Sequence, residues 1–323
     1  MKILITARQP EEILAKIAAG HVVTAYDKDE PMRRSELLEK IGDKDGLLCT
    51  ITDKIDDELL ERASDLKMIA NAAVGYDHID LDAAGKRGIW VSNTPGVLTD
   101  ATADLTFALL LASARRIVEG DRVTREGRFR FWAPMNFLGL EVTGKTLGIV
   151  GLGLIGKAVA KRARGFDMNV LYHSRNRLPE ADEAQLGVRY VGLSDLLADA
   201  DFVSLHVNLT EQTRHLIGRE QLRQMKPTAF LINASRGPVV NEKDLVEALR
   251  EKRIAGAGLD VYEHEPELTP GLADLHNAVL LPHMGSATHE TRAAMARLAA
   301  ENLLAGLLGK TPPNCLNPHI KRR

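Results

Sequence analysis

Apolar residues along this chain fall in short runs separated by stretches with a helical repeat, and the two alternate from end to end. Before residue 100 the strand-like runs are 2–6, 21–26, 46–50, 67–72 and 89–92. Between them Pro10–Ala19, Ser35–Ile41 and Asp56–Ser64 carry amphipathic helical patterns. The alternation resumes after residue 140 with runs at 146–150, 169–173, 202–207, 229–233, 256–260 and 278–281. Buried strands each followed by a helix predict parallel sheets with helical crossovers, an α/β fold. A chain of 323 residues exceeds one ordinary core, so two such domains are expected.

The junction between the two sets has its own chemistry. Ser92-Asn93-Thr94-Pro95-Gly96 is a turn, after which Thr99 or Asp100 can cap a helix over about 100–117 that is apolar on most of its circumference. Residues 118–142 then interleave Arg122, Arg125, Arg128 and Arg130 with Phe129, Phe131, Trp132 and Phe137. Of 14 aromatic residues in the chain, four lie within the nine positions 129–137, which predicts either an inter-domain packing patch or a subunit interface. The helical repeat Thr288–Leu308 follows the last strand and is expected to return to the first domain.

Composition narrows the class. A net charge of −2 gives no reason to expect a nucleic-acid partner, and the short basic end Lys321-Arg322-Arg323 reads as a solvated terminus. The two cysteines, Cys49 and Cys315, are far apart, so neither a disulfide framework nor a metal site is expected, in keeping with a reducing, cytoplasmic setting. The longest apolar stretch, Leu105 to Ala114, falls short of the roughly 18 residues a membrane span needs.

The strongest local signal is Gly151-Leu152-Gly153-Leu154-Ile155-Gly156, directly after one strand-like run and opening a helix. In that context Gly151 would make a tight turn, Gly153 would let backbone approach a pyrophosphate, and Gly156 would let helix and strand pack closely. The N–H groups of Leu154, Ile155 and Gly156 would face the phosphates; a purely structural turn is the alternative. An NAD site usually carries an acidic residue about 20 positions on, at the end of the second strand. Here that strand runs into His173-Ser174-Arg175-Asn176-Arg177, with no carboxylate before Glu180. Ser174, Arg175 and Asn176 suit a 2′-phosphate, so NADP(H) is the expected cofactor, with NAD(H) as the second choice.

A dinucleotide-dependent reduction of a carbonyl group needs a cation near the carbonyl oxygen and a proton donor. Arg236 follows the strand-like 229–233 and His283 follows 278–281, so both should emerge at strand C-terminal ends, where ligands bind in open α/β sheets. Glu265, 18 residues before His283, would hold the imidazole by one nitrogen and favour the imidazolium.

With these residues in view, the chain resembles the D-2-hydroxyacid dehydrogenase family, and within it the glyoxylate/hydroxypyruvate reductases. The likeness rests on the glycine turn, on Asn71–Asp80, Asn93–Thr99 and Asn233–Gly237, and on Gly258–Pro266 and Leu281–Ala287, in that family's order over nearly the whole chain. The resemblance implies two Rossmann-like domains with the active site in the cleft between them. A flavodoxin-like substrate domain would comprise 1–99 plus 286–323, and the cofactor domain 100–285, with a dimerisation arm at about 118–142. It implies Arg236, Glu265 and His283 as the catalytic trio, and Val74 and Gly75 as the loop that grips the substrate carboxylate. Asp260 would hold the nicotinamide carboxamide, and Ala234, Ser235, Gly285 and Ser286 would border the cofactor. Trp132 on the arm would reach a partner subunit's site in a homodimer. The product would be a D-2-hydroxy acid. The chain departs from the pattern at Asn208, where the family often has proline, and Cys49-Thr50-Ile51-Thr52 matches no substrate-diagnostic loop. Competing readings are a reductase of 2-ketogluconate or another larger 2-oxo acid, a phosphite or formate dehydrogenase, and a nucleotide-sensing binding protein.

Overall fold

The computed structural model describes residues 1–320; the basic terminus Lys321–Arg323 lies outside the described residues. The chain forms two compact units, one from Met1–Leu98 together with the chain from Ala287 onward, the other from Thr99–Ser286.

The first unit is built on five parallel strands, β1 (Lys2–Ile5), β2 (Val22–Ala25), β3 (Gly46–Cys49), β4 (Met68–Asn71) and β5 (Trp90–Ser92). Their spatial order is β2-β1-β3-β4-β5, so the direction of winding reverses between β1 and β3. The predicted amphipathic stretches form helices Glu11–Ala18, Arg34–Lys40 and Asp57–Arg62. The Asp56 side chain caps the third of these by accepting from the Leu59 N–H. Asp80 caps the next helix, Leu81–Lys86, in the same way through Ala83. The helix His289–Leu307, capped by Thr288, lies against β3 and β4. Its Leu303 and Leu307 are buried with Ile3, Leu48 and Met68, a contribution of about 1.5–3 kcal/mol for each leucine.

The second unit carries seven parallel strands: β6 (Thr146–Val150), β7 (Asn169–His173), β8 (Val188–Tyr190), β9 (Phe202–Leu205), β10 (Phe230–Asn233), β11 (Gly256–Leu259) and β12 (Ala278–Leu280). Their order, β12-β11-β10-β9-β6-β7-β8, reverses between β6 and β9, which is the dinucleotide-binding topology. The pattern of apolar runs missed β8, whose three residues are too few to show an alternation and whose middle member is a charged Arg189.

The junction helix is shorter than the sequence suggests. It runs Thr99–Ala114, with Thr99 and Asp100 inside its first turn rather than ahead of it as caps. It stops because Arg116 adopts the left-handed conformation (φ 53°) and the returning chain supplies the Leu140 N–H to the Ala114 carbonyl. A second helix, Ile117–Arg125, follows, so the first third of the arm is helical and the rest, up to β6, has no regular structure. No helix among the described residues is long and apolar enough to cross a membrane.

Candidate active site

In the second unit the glycine turn leaves β6 at the point of strand reversal. Gly151 has φ 97°, and a Cβ there would lie 2.8 Å from the His206 backbone at the end of β9. A Cβ on Gly156 would lie 2.3 Å from the Gly151 carbonyl oxygen, so turn and helix touch backbone to backbone. Gly153 is different: among the described residues nothing lies within 4 Å of a Cβ placed there, and the space above it is open. It is the N-cap of helix Leu154–Ala163 and has no side chain to offer, and the first intrahelical donor is Lys157, which bonds Gly153. The Leu154, Ile155 and Gly156 N–H groups therefore face open space at the positive end of a ten-residue helix, a cradle suited to a pyrophosphate.

The loop after β7 sorts its basic residues. Arg177 donates through Nε and Nη2 to both oxygens of Glu183 at 2.9 Å, and Tyr172 donates to the same carboxylate at 2.6 Å. That guanidinium is spent on the fold. Arg175 and Asn176 are exposed, and Arg175 has no carboxylate partner among the described residues. The Ser174 hydroxyl accepts from the Leu152 N–H of the glycine turn at 3.3 Å, leaving its own proton to donate outward.

The candidate catalytic side chains come from three neighbouring strands. Asn233 pairs with Leu259, and Leu259 with Leu280, so the C-terminal ends of β10, β11 and β12 lie side by side. Buried Asn233 organises the turn after β10: its Oδ1 accepts from the N–H and hydroxyl of Ser235 (3.1 and 2.8 Å), and its Nδ2 donates to the Arg236 carbonyl at 2.9 Å. Ala234, Ser235 and Arg236 are each half-buried on this turn. Gly237 has no room for a side chain, since a Cβ would fall 1.8 Å from the Tyr262 carbonyl oxygen; this close approach sets the Arg236 turn against the segment that carries Glu265.

Glu265 bridges the second and third strand ends. One oxygen accepts from the Tyr262 N–H at 2.9 Å, and the other pairs with His283 Nδ1 at 2.7 Å. Burial opposes charge on Glu265, but His283, the Tyr262 N–H and the nearby Arg236 guanidinium outweigh it and hold the carboxyl below its ordinary range. His283 itself sits at φ 49°, a conformation that costs a non-glycine residue about 1–2 kcal/mol. Two bonds sustain it: the Met284 and Gly285 N–H groups donate to separate oxygens of buried Asp260, each at 2.8 Å. Burial pushes the Asp260 carboxyl upward, and those same N–H groups offset part of the effect. Tyr262 completes the frame by donating its hydroxyl to the Leu281 carbonyl at 2.7 Å, and burial raises that phenol to about 12. With Nδ1 committed to Glu265, the imidazole keeps Nε2 for another group. Ser286 lies at the end of the same loop, half-buried, and His264 is exposed.

In the first unit Val74 and Gly75 follow β4. The carbonyls around them all point inward. Ala73 O accepts from the Thr94 N–H at 3.0 Å, Val74 O from Asn93 Nδ2 at 2.8 Å, and Gly75 O from Asn71 Nδ2 at 2.8 Å. In a planar trans peptide the N–H points opposite to the C=O, so the Val74, Gly75 and Tyr76 N–H groups are turned away from these donors. Beside this segment, at the strand reversal, buried Asp53 locks the Thr50–Thr52 loop by accepting from the Thr6 hydroxyl (2.5 Å) and the Thr50 N–H (2.8 Å).

Trp132 is 78% exposed, and Phe129, Phe131 and Met135 are exposed around it. Sequence reasoning assigned no role to Tyr262, Asn233 or Asn93. Each stood inside a quoted motif, but its part depends on which distant backbone group it meets.

Residues 107–285 match the family described as D-isomer specific 2-hydroxyacid dehydrogenase, NAD binding domain. A glyoxylate reductase of Thermococcus litoralis is 53% identical over 323 residues, covering 99% of this chain and 97% of that protein. Among solved structures, a glyoxylate reductase from Paecilomyes thermophila aligns with a TM-score of 0.88 at 34% identity, over 98% of both chains. An NADPH-dependent glyoxylate/hydroxypyruvate reductase from Sinorhizobium meliloti, in complex with NADP and malonate, aligns with a TM-score of 0.85 at 31% identity, over 100% of this chain and 98% of that one.

Proposed function

The chain belongs to the D-isomer-specific 2-hydroxyacid dehydrogenase family, in its glyoxylate reductase branch, and from that premise we propose that it reduces small 2-oxo acids, glyoxylate and hydroxypyruvate, to the D-2-hydroxy acids with NADPH. The observation that carries the reading is the convergence of Arg236, Glu265 and His283 at three adjacent strand ends, with His283 Nδ1 held at 2.7 Å by Glu265.

A bound reduced nicotinamide supplies the hydride that C2 of the acid accepts. The chain does the rest. Leu154, Ile155 and Gly156 hold the pyrophosphate, and Ser174, Arg175 and Asn176 take the 2′-phosphate. Ala234, Ser235, Gly285 and Ser286 border the nicotinamide, with Asp260 beside its carboxamide. The N–H groups of Val74 and Gly75 grip the substrate carboxylate, and the Arg236 guanidinium attracts the carbonyl oxygen as charge builds there. His283 gives the Nε2 proton to that oxygen, while Glu265 stabilises the imidazolium before transfer and fixes the ring throughout. The exposed aromatic arm serves as a homodimer contact, and Trp132 limits substrate size at a second copy's site.

Initial rates with NADPH and NADH, each with glyoxylate, hydroxypyruvate and 2-ketogluconate, test the proposal. Fastest turnover is expected for NADPH with the two small acids. Arg175→Ala should raise KM for NADPH about tenfold or more while leaving NADH within twofold, because one charge-assisted contact is lost. A preference for NADH would refute the 2′-phosphate assignment. Preference for 2-ketogluconate would move the substrate to a larger acid, and no turnover with any pair would leave a nucleotide-binding protein.

A further inference from the structure

We propose that Asn302, in the helix His289–Leu307, and Asn314, in the segment after it, are positioning residues for the substrate carboxylate, acting through Asn93; the inference rests on reading the Val74–Gly75 loop as the carboxylate site. The direction of the Gly75 N–H is set by the Val74 carbonyl in the same peptide plane, and that carbonyl is held by Asn93 Nδ2 at 2.8 Å. Asn93 is itself clamped on both sides of its backbone. Its N–H donates to the Asn314 carbonyl at 3.3 Å, and its carbonyl accepts from Asn302 Nδ2 at 3.1 Å. The two clamps are tied together: Asn302 Oδ1 accepts from the Asn314 N–H at 3.0 Å, and Asn302 Nδ2 also donates to Asn314 Oδ1 at 3.3 Å.

Asn302 is fully buried on a helix face otherwise made of Ala299, Ala300, Leu303 and Gly306. A leucine, which branches at the same carbon as asparagine, would bury there without the desolvation cost of an amide, so packing alone does not account for the residue. The amide uses both its donor and acceptor sides on groups that lie 209 and 12 residues away. The segment around Asn314 is anchored in turn along the free edge of β5. Leu316 N–H donates to Val91 O at 2.8 Å, Asn317 Oδ1 accepts from Val91 N–H at 2.9 Å, and Asn317 Nδ2 donates to Ile89 O at 2.9 Å. The C-terminal chain thus pairs with an edge strand and ends its grip at the residue that aims the anion loop.

The test compares Asn302→Leu, Asn314→Ala and Gly75→Pro in the full chain, reading KM and kcat for glyoxylate, KM for the nicotinamide cofactor, the Kd of oxalate and the melting temperature. A loosened loop weakens ground-state and transition-state carboxylate binding alike. Asn302→Leu is therefore expected to raise glyoxylate KM and oxalate Kd about tenfold, with kcat within twofold and cofactor KM unchanged. Asn314→Ala, which leaves the backbone clamp, should move the same two constants in the same direction by a smaller factor, and it stands in if Asn302→Leu fails to fold. If both asparagine variants change only the melting temperature while Gly75→Pro raises glyoxylate KM, the positioning role is overturned and the carboxylate loop stands. If Gly75→Pro folds and leaves KM unchanged, the carboxylate reading fails and the inference falls with it.

Discussion

Replacing Glu265 by glutamine keeps the shape of the side chain and removes its charge. One glutamine atom, Oε1, can still accept from the Tyr262 N–H, which leaves an NH2 group facing His283 Nδ1 where a carboxylate oxygen stood at 2.7 Å. Two donors then oppose each other whenever the ring carries both protons, so the imidazolium loses its partner. Unit charges about 4 Å apart attract by about 4 kcal/mol at an effective dielectric constant near 20. The two side chains are 30% and 32% exposed, and screening by solvent reduces this to about 1–3 kcal/mol. That corresponds to a factor of about 5–150 in the stability of the pair. In Glu265→Gln kcat for 2-oxo acid reduction at neutral pH should therefore fall about 10–100-fold, with cofactor KM unchanged. The assay is kcat and kcat/KM for glyoxylate at neutral pH in both proteins. Stability supplies a second readout. Glu265 lies below its ordinary value of 4.5, so its contribution is complete above that pH and is lost as pH falls through the lowered folded value. The variant should lack that acid-dependent part. A kcat within twofold of the native value in Glu265→Gln would refute the assignment of the pair as the proton donor.

Gly237→Ala would place a methyl 1.8 Å from the Tyr262 carbonyl oxygen, with backbone on both sides. A loss of about 3 kcal/mol or more in chemical unfolding is expected, together with reduced kcat/KM, because the Arg236 turn and the Glu265 segment must separate; wild-type stability would contradict the geometry. On the arm, Phe131→Asp combined with Trp132→Ser removes two of the most exposed aromatic side chains, which are 68% and 78% exposed. Sedimentation at micromolar concentration should show a dimer for the native chain and monomer for the variant, and a native monomer would dismiss the interface.

Some of the molecule is written locally. Alternating apolar runs and helical repeats depend on neighbours within a few residues, so the parallel α/β architecture followed from spacing alone. The glycine turn was equally legible, because the three glycines answer to constraints within six residues of one another. Val188–Tyr190 escaped because a strand of three residues is stabilised by pairing with β7, which no window of sequence contains. Arg177 shows the same limit for charge: the sequence places it two residues from Arg175 in one basic loop, and only the fold shows that Glu183 and Tyr172 engage it there.

Arg236, Glu265 and His283 could be picked out of the sequence by residue type and motif order, but their arrangement could not. The sequence by itself determined two parallel α/β units, a helix-opening glycine turn, and the identity of an arginine, a carboxylate and a histidine near strand ends. Only the tertiary structure decided that Asp260 holds His283 in a left-handed conformation, that Tyr262 frames Glu265, and that Asn93, bonded to Asn302 and Asn314, donates to the Val74 carbonyl. The physical reason is common to all three. A buried backbone group accepts whichever polar partner the fold brings to it, and these partners come from positions as many as 209 residues away.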